Sequence, residues 1–309
     1  MKTIKRLLHS LLVCMMFVSC MTLQAQEEGE FNAYITQAYA QINESLEITL
    51  ENASGETTYT WYVDGKETSK DKSLYIDESL KNKIITVEVV NNNKTITDRM
   101  MVSDLPVIFI DTENNAAITS KENYIDANMS IQANERYADL LSDSKKSYDG
   151  LTEIRGRGNS TWGLPKKPYK LKLDKKTDLF GMGKNKHWVL LASYNDPSFM
   201  RNTISYGLSG QLGLEYCESG WVEVVLNGQK IGNYMLCEQI RVDETRVDVY
   251  DWESACEDAA AAIAEANNFS DDQAGDLEDL MVEDYSWIDS DQVTFNNTTY
   301  QVSDYFEYP

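Results

Sequence analysis

The densest run of chemistry-bearing residues is RGRGNSTWGLPKKPYKLKLD, residues 155–174. If its two ends are strands, alternation puts Arg155 and Arg157 on one face, opposite Ile154, and Lys170 and Lys172 on the face opposite Tyr169, Leu171 and Leu173. Two neighbouring strands would then aim four cations at one place, which is an arrangement for neutralising an anion. Gly156 and Gly158 would let a ligand approach the backbone, and Asn159, Ser160 and Thr161 add donors. The set suits phosphate oxygens, although the glycine spacing is neither that of a Walker loop nor that of a Rossmann turn. By composition alone the same run also reads as a solvated basic face over an ordinary sheet.

The surrounding chain makes this run stand out. The 309 residues carry a formal net charge of −22, yet residues 150–201 hold 11 basic and 4 acidic side chains. Residues 247–309 hold 17 acidic side chains and no Lys or Arg. A basic island in an acidic protein faces an anion, and the acidic field around it weighs against a long polyanion such as nucleic acid. His187 is the only histidine beyond the first 25 residues. That weighs against multi-histidine metal sites and against a Ser-His-Asp hydrolase. Asp289 and Asp291 form an isolated D-x-D without calcium-loop spacing, so no metal ligand is assigned.

The elements that must position these groups follow from pattern, and they give an α+β chain. Lys2, Lys5 and Arg6 precede an apolar run from Leu7 to Val18, so residues 1–25 read as a secretory signal peptide. The protein is expected to be exported to the periplasm, the cell surface or the medium, with no transmembrane helix, since the run falls short of about 20 apolar residues. Leu23-Gln24-Ala25 fits ordinary cleavage, the preferred reading, whereas Val18-Ser19-Cys20 fits a lipobox that would place a lipid anchor on Cys20. Beyond residue 25 the cysteines are Cys217, Cys237 and Cys256, an odd number that points to buried thiols rather than a disulfide framework.

Residues 27–104 alternate in short runs, Ser45 to Leu50, Thr58 to Val63, Lys83 to Val90 and Lys94 to Met101, with turn residues between them. Trp61, sharing a face with Tyr59 and Val63, is the expected core plug of an immunoglobulin-like sandwich, read as a spacer that holds the next domain away. Proline ends this module near Ser103-Asp104-Leu105-Pro106. Residues 105–309 then predict strands Val107 to Ile110, Ser130 to Ala133, Leu151 to Arg157, Tyr169 to Leu173 and Trp188 to Ser193. A helix from Pro197 to Leu212 follows, then a hairpin Trp221 to Val242 turning at Asn227-Gly228. The sheet is expected to be mostly antiparallel with the one helix packed on it. Asp196 is the expected N-cap and Gly213 the stop, with Phe199, Met200, Ile204, Leu208 and Leu212 as its buried stripe. Residues 254–283 read as an acidic, solvated helical insertion with capping boxes at Ser254/Glu257 and Ser270/Gln273, followed by a hairpin Val293 to Val302.

Four segments, IRGRGNSTW, KKPYKLKL, WVLLASYNDPSFMRN and VEVVLNGQKIGNYMLCEQIRV, occur in the order and at the spacings of the CotH kinase family. Residues 105 to about 250 therefore resemble its nucleotide-binding lobe. The resemblance implies an atypical kinase that moves the γ-phosphoryl of ATP, with magnesium, onto Ser or Thr of a secreted or coat protein. It implies that Lys170 or Lys172 is the strand lysine on the phosphates, with Arg155 and Arg157 adding charge and Asn159 in the adjoining turn. It places Cys237, Glu238, Gln239 and Ile240 where backbone can reach an adenine edge, and Asn195, Asp196, Arg201 and Asn202 beside the same cleft. The family's catalytic and metal-holding acids are expected after this lobe. Because the chain stops at Pro309, the expectation is a fragment that grips nucleotide without catalysing transfer. Two rival readings are an adhesion or glycan-binding scaffold and a structural envelope component.

Overall fold

The computed structural model describes residues 29–138, 146–242, 246–247 and 249–308. The segment expected to be a signal peptide, with Cys20, lies outside the described residues. No helix among the described residues is long and apolar enough to cross a membrane.

The N-terminal module is all β. Its strands are β1 (Asn32–Ile35), β2 (Ser45–Leu46), β3 (Ile48–Glu51), β4 (Thr57–Val63), β5 (Lys66–Ser69), β6 (Leu74–Tyr75), β7 (Ile84–Asn91) and β8 (Lys94–Met101). A four-stranded antiparallel sheet runs β5-β4-β7-β8, and β1 pairs β3 while β2 pairs β6. Trp61 is fully buried in the core these strands share, and its indole N–H donates to the Asp71 carbonyl at 2.9 Å, so the one polar atom of the plug is satisfied. The turn Asp64-Gly65 has both residues at positive φ, as a two-residue hairpin requires.

Seven further strands close into a barrel. They are β9 (Val107–Thr112), β10 (Ile125–Gln132), β11 (Lys146–Gly156), β12 (Tyr169–Asp178), β13 (Lys184–Leu191), β14 (Ser219–Leu226) and β15 (Gln229–Glu238), in the order β10-β11-β12-β13-β15-β14-β9. Every pair is antiparallel except β9 with β14, which closes the ring in parallel. Alternate residues such as Ile110, Met129, Ile154, Leu171, Trp188 and Leu236 fill the interior. The hairpin ends at Glu238 rather than Val242. There the Glu238 carboxylate turns back to accept the Glu218 backbone N–H at 2.8 Å, which ties off the open end of the strand pair.

The last strand of the N-terminal module is docked onto the barrel. Gln132 is buried and reads both backbone groups of Met101, donating to its carbonyl and accepting from its N–H at 2.8 Å each. Arg99 forms a two-pronged pair with Asp111 and lies 4.6 Å above the Phe109 ring. Met101, Val107, Phe109 and Val225 make one buried cluster, so the sandwich covers the strands at the parallel seam.

The helix spans Arg201–Gln211, starting four residues later than predicted and ending one earlier, and it presents a different face. Phe199, Met200, Ile204, Leu208 and Leu212 are 38 to 64 % exposed, not buried. Tyr206 packs instead against Val189, Met235 and Cys237 on the outside of the barrel. The turn before the helix sets this phase. Phe199 has φ +56 and puts its ring edge-on to Trp221 at 5.6 Å, so the following residues rotate away from the predicted stripe. Met200 rather than Asp196 is the N-cap, and Asp196 instead ties the preceding turn, accepting the Arg201 backbone N–H at 3.0 Å and the Ser198 hydroxyl at 2.6 Å.

Through Leu212, and again over Glu218–Glu238, the chain forms one compact unit; Gly213–Cys217 and Gln239–Pro309 form a second. The second unit holds helices Trp252–Asn267 and Asp271–Glu283, a short helix Ser286–Ser290, and the hairpin β16 (Gln292–Phe295) and β17 (Thr298–Gln301). It is not a solvated excursion. Cys256, Ile263, Leu277, Met281 and Trp287 are fully or almost fully buried in a core of its own. Asp251, rather than Ser254, caps the first helix, because its carboxylate already takes the Ser254 N–H at 3.2 Å. The capping box at Ser270 and Gln273 is formed as predicted. Cys217, Cys237 and Cys256 are buried and form no disulfide.

Candidate functional site: a basic row on the barrel wall

Strand register, not the glycine turn, assembles the cations. Arg155 on β11 lies opposite Lys170 on β12, and Glu153 lies opposite Lys172. Ile154, Leu171 and Leu173 point into the barrel, so these polar neighbours face outward, as alternation predicts. Lys172 is not available as an unopposed charge. Its ammonium pairs with Glu153 at 2.6 Å, and that hydrogen bond and charge hold the lysine above its usual range. Arg155 and Lys170 have no carboxylate partner among the described residues, and the Arg155 Nε is buried without a hydrogen bond. In a protein of net charge −22, two adjacent cations left unpaired form a local demand for an anion.

The remaining predicted residues divide. Arg157 is the residue directly after β11, and its backbone N–H donates to the Pro168 carbonyl at 3.2 Å. Asn159 is exposed and precedes the short turn Ser160–Gly163 without capping it through its side chain. Arg201 is drawn to its own neighbour Asp196, 3.7 Å away, at the start of the helix over β13 and β15. Glu238 is buried at the end of β15 rather than presented at a surface.

The glycines serve packing rather than a ligand cradle. A Cβ at Gly156 would lie 2.4 Å from the Trp162 ring, and one at Gly158, where φ is +84, would lie 2.2 Å from the Thr161 hydroxyl. The space over Gly156 is therefore filled by the chain's own tryptophan, which meets Tyr169 edge-on at 6.5 Å.

Several participants went unnoticed in the sequence. Tyr124 carries the Arg155 guanidinium 4.9 Å above its ring, with the Lys172 ammonium at 5.7 Å. Lys167 donates to the Trp162 carbonyl at 2.6 Å, and the Tyr234 hydroxyl donates to the Lys167 carbonyl at 3.0 Å. Lys166 sits 4.5 Å from the Tyr234 ring and 5.3 Å from Phe199 while donating to the Asn233 carbonyl; burial pushes its ammonium below the usual lysine range. The KKPY segment was visible as a motif, but nothing local tells which of its lysines turns inward.

A groove of about 490 Å³ adjoins the row, lined by Glu113, Asp126, Asn128, Glu153, Lys172 and Asp174 among others. Among the described residues no three Asp, Glu, His or Cys side chains come together as a metal-holding group. Two adjacent cations of this kind can meet an anion, whereas the described residues assemble no group that would hold a magnesium ion.

Compared with known proteins, residues 154–307 match the family model described as CotH kinase protein. No curated protein matches the chain.

Proposed function

Since residues 154–307 of this chain belong to the CotH kinase family, we propose that it is an exported, ATP-binding kinase-like protein acting on Ser or Thr of another secreted or surface protein. Phosphoryl transfer is chiefly positioning and charge neutralisation, so preset cations are the part of the machinery a β-barrel wall can supply. In this reading Arg155 and Lys170 grip phosphate oxygens of ATP, and Arg157 and Asn159 approach them from the adjoining turn. Lys172 is held in place by Glu153 and contributes less. Arg201 and Glu238 are left out, because one is turned to Asp196 and the other secures a hairpin end. Residues 27–104 form, in the same reading, an immunoglobulin-like module fused to the barrel.

The observation that carries the assignment is the pair of adjacent cations without carboxylate partners on the barrel's outer wall. Calorimetric titration of Mg-ATP into the full chain tests it. Arg155→Gln and Lys170→Gln should each weaken binding by roughly tenfold, the loss expected for a charge-assisted hydrogen bond. Lys172→Gln should cost less. Equal affinity in all three variants and the wild type would reject the site.

A further inference from the structure

Arg155 owes its aim to a residue outside the matched motifs. Tyr124 immediately precedes β10, where Ile125 lies opposite Ile154, so the next step along the two strands sets Tyr124 against Arg155. The Arg155 to Lys170 pairing continues the same line onto β12. One cross-strand row therefore reads Tyr124, Arg155, Lys170. The segment before Tyr124 is held against β11 by the Gly156 N–H, which donates to the Ser120 carbonyl at 2.8 Å. The ring has consequently little freedom to leave the row. It lies 4.9 Å from the guanidinium carbon, and the Arg155 Nε is buried with no hydrogen bond.

We infer that Tyr124 is a positioning residue for anion binding: its ring fixes the Arg155 guanidinium by a cation–π contact and leaves that charge uncompensated for a phosphate group. A carboxylate at position 124 would hold the arginine equally well and would cancel its charge. An aromatic ring orients without neutralising. The neighbouring row shows the other solution, since Glu153 both holds Lys172 and cancels it. The ligand class is therefore a phosphate bound by the net charge of Arg155 and Lys170. This rests on the nucleotide reading above and adds a residue to it.

The test compares wild type, Tyr124→Phe and Tyr124→Leu as full chains. Mg-ATP affinity is measured by calorimetry, melting by circular dichroism, and the Arg155 Nε–H resonance by NMR. Tyr124→Phe should bind as the wild type does, whereas Tyr124→Leu should bind about fivefold more weakly with an unchanged melting temperature. The ring-current shift of the Arg155 Nε–H should persist with Phe and vanish with Leu. In an Arg155→Gln background, Tyr124→Leu should add no further loss. If Leu binds like wild type, or Phe loses as much as Leu, the positioning role is wrong while the site stands. A wild type that takes up no Mg-ATP would remove the nucleotide reading and this role together.

Discussion

The two compact units solve the problem of charge in opposite ways. In the first, basic and acidic side chains alternate with apolar ones along strands, and register decides which cation meets a carboxylate and which meets a ring. Arg99 is matched with Asp111 and Lys172 with Glu153, but Arg155 is left on Tyr124. In the second unit, the chain from Val247 onward has no Lys or Arg to pair with anything. Its carboxylates are spread over helix surfaces, and cohesion comes from a ring cluster in which Trp287 meets Trp252 at 6.4 Å and Tyr308 at 5.2 Å. Beyond Val247 pairing with lysine or arginine is not open, whereas the first unit has it along its strands. That is where a binding site with directed charge can be built.

The largest expected effect sharpens this contrast. Trp287 is 1 % exposed, and its indole N–H donates to the Met281 carbonyl at 3.2 Å. Trp287→Ala removes the centre of the aromatic cluster and should cost about 4 kcal/mol of stability. Chemical denaturation followed by far-ultraviolet circular dichroism would register the loss of helix, while binding at the Arg155 row should be unchanged. A variant as stable as wild type would show that the cluster does not hold the unit together.

A somewhat smaller effect is expected where the sandwich meets the barrel. Gln132→Leu keeps the volume but strands the Met101 N–H and carbonyl, both otherwise satisfied by the glutamine. Leaving two buried backbone groups unpaired should cost about 3 kcal/mol. Urea unfolding monitored by tryptophan fluorescence would measure it. The barrel's unfolding midpoint should fall as well, and an unchanged midpoint would show that the N-terminal module and the barrel unfold independently.

What was legible beforehand follows the range of the signal. Period-two alternation is local, so the facing of Arg155, Lys170 and Lys172 could be read from the residues themselves, as could the Trp61 plug and the positive-φ turn at Asp64-Gly65. The same alternation puts Glu153 on the face of Lys172, although only the register sets the two opposite each other. Helix phase was beyond reach, because it depends on a left-handed Phe199 resting on Trp221, a contact between distant parts of the chain. The ring over Gly156 hides for the same reason: glycine signals only that space is needed, and Trp162 rather than a ligand takes it. Closure of the barrel by parallel pairing of β9 with β14 leaves no local mark at all.

The smallest expected effect concerns how an anion is accommodated where no lysine or arginine follows. Asp291, in a left-handed conformation with φ +55, accepts from the Gln301 amide at 2.6 Å, the Ser303 N–H at 2.9 Å, the Ser303 hydroxyl and the Tyr308 hydroxyl at 2.6 Å. These donors, the Ser303 hydroxyl foremost, hold its carboxyl down at about 2, and burial together with the same carboxylate pushes the Tyr308 hydroxyl up to about 12. The folded carboxylate lies below the unfolded value of about 3.9, so its contribution is complete above that pH and is lost as pH falls towards 2. The tyrosine lies above its ordinary value of 10.0, so its share is complete below pH 10 and is lost as pH rises towards 12. Melting curves should therefore be flat in this respect between the two limits and fall on either side. Asp291→Asn should remove the acid limb at this site and lower the plateau slightly, since an amide can replace only part of the acceptor set. Were the acid limb to survive in Asp291→Asn unchanged, the clasp between the Ser286–Ser290 helix, the β17 strand and Tyr308 would have to be assigned to the ring contacts alone.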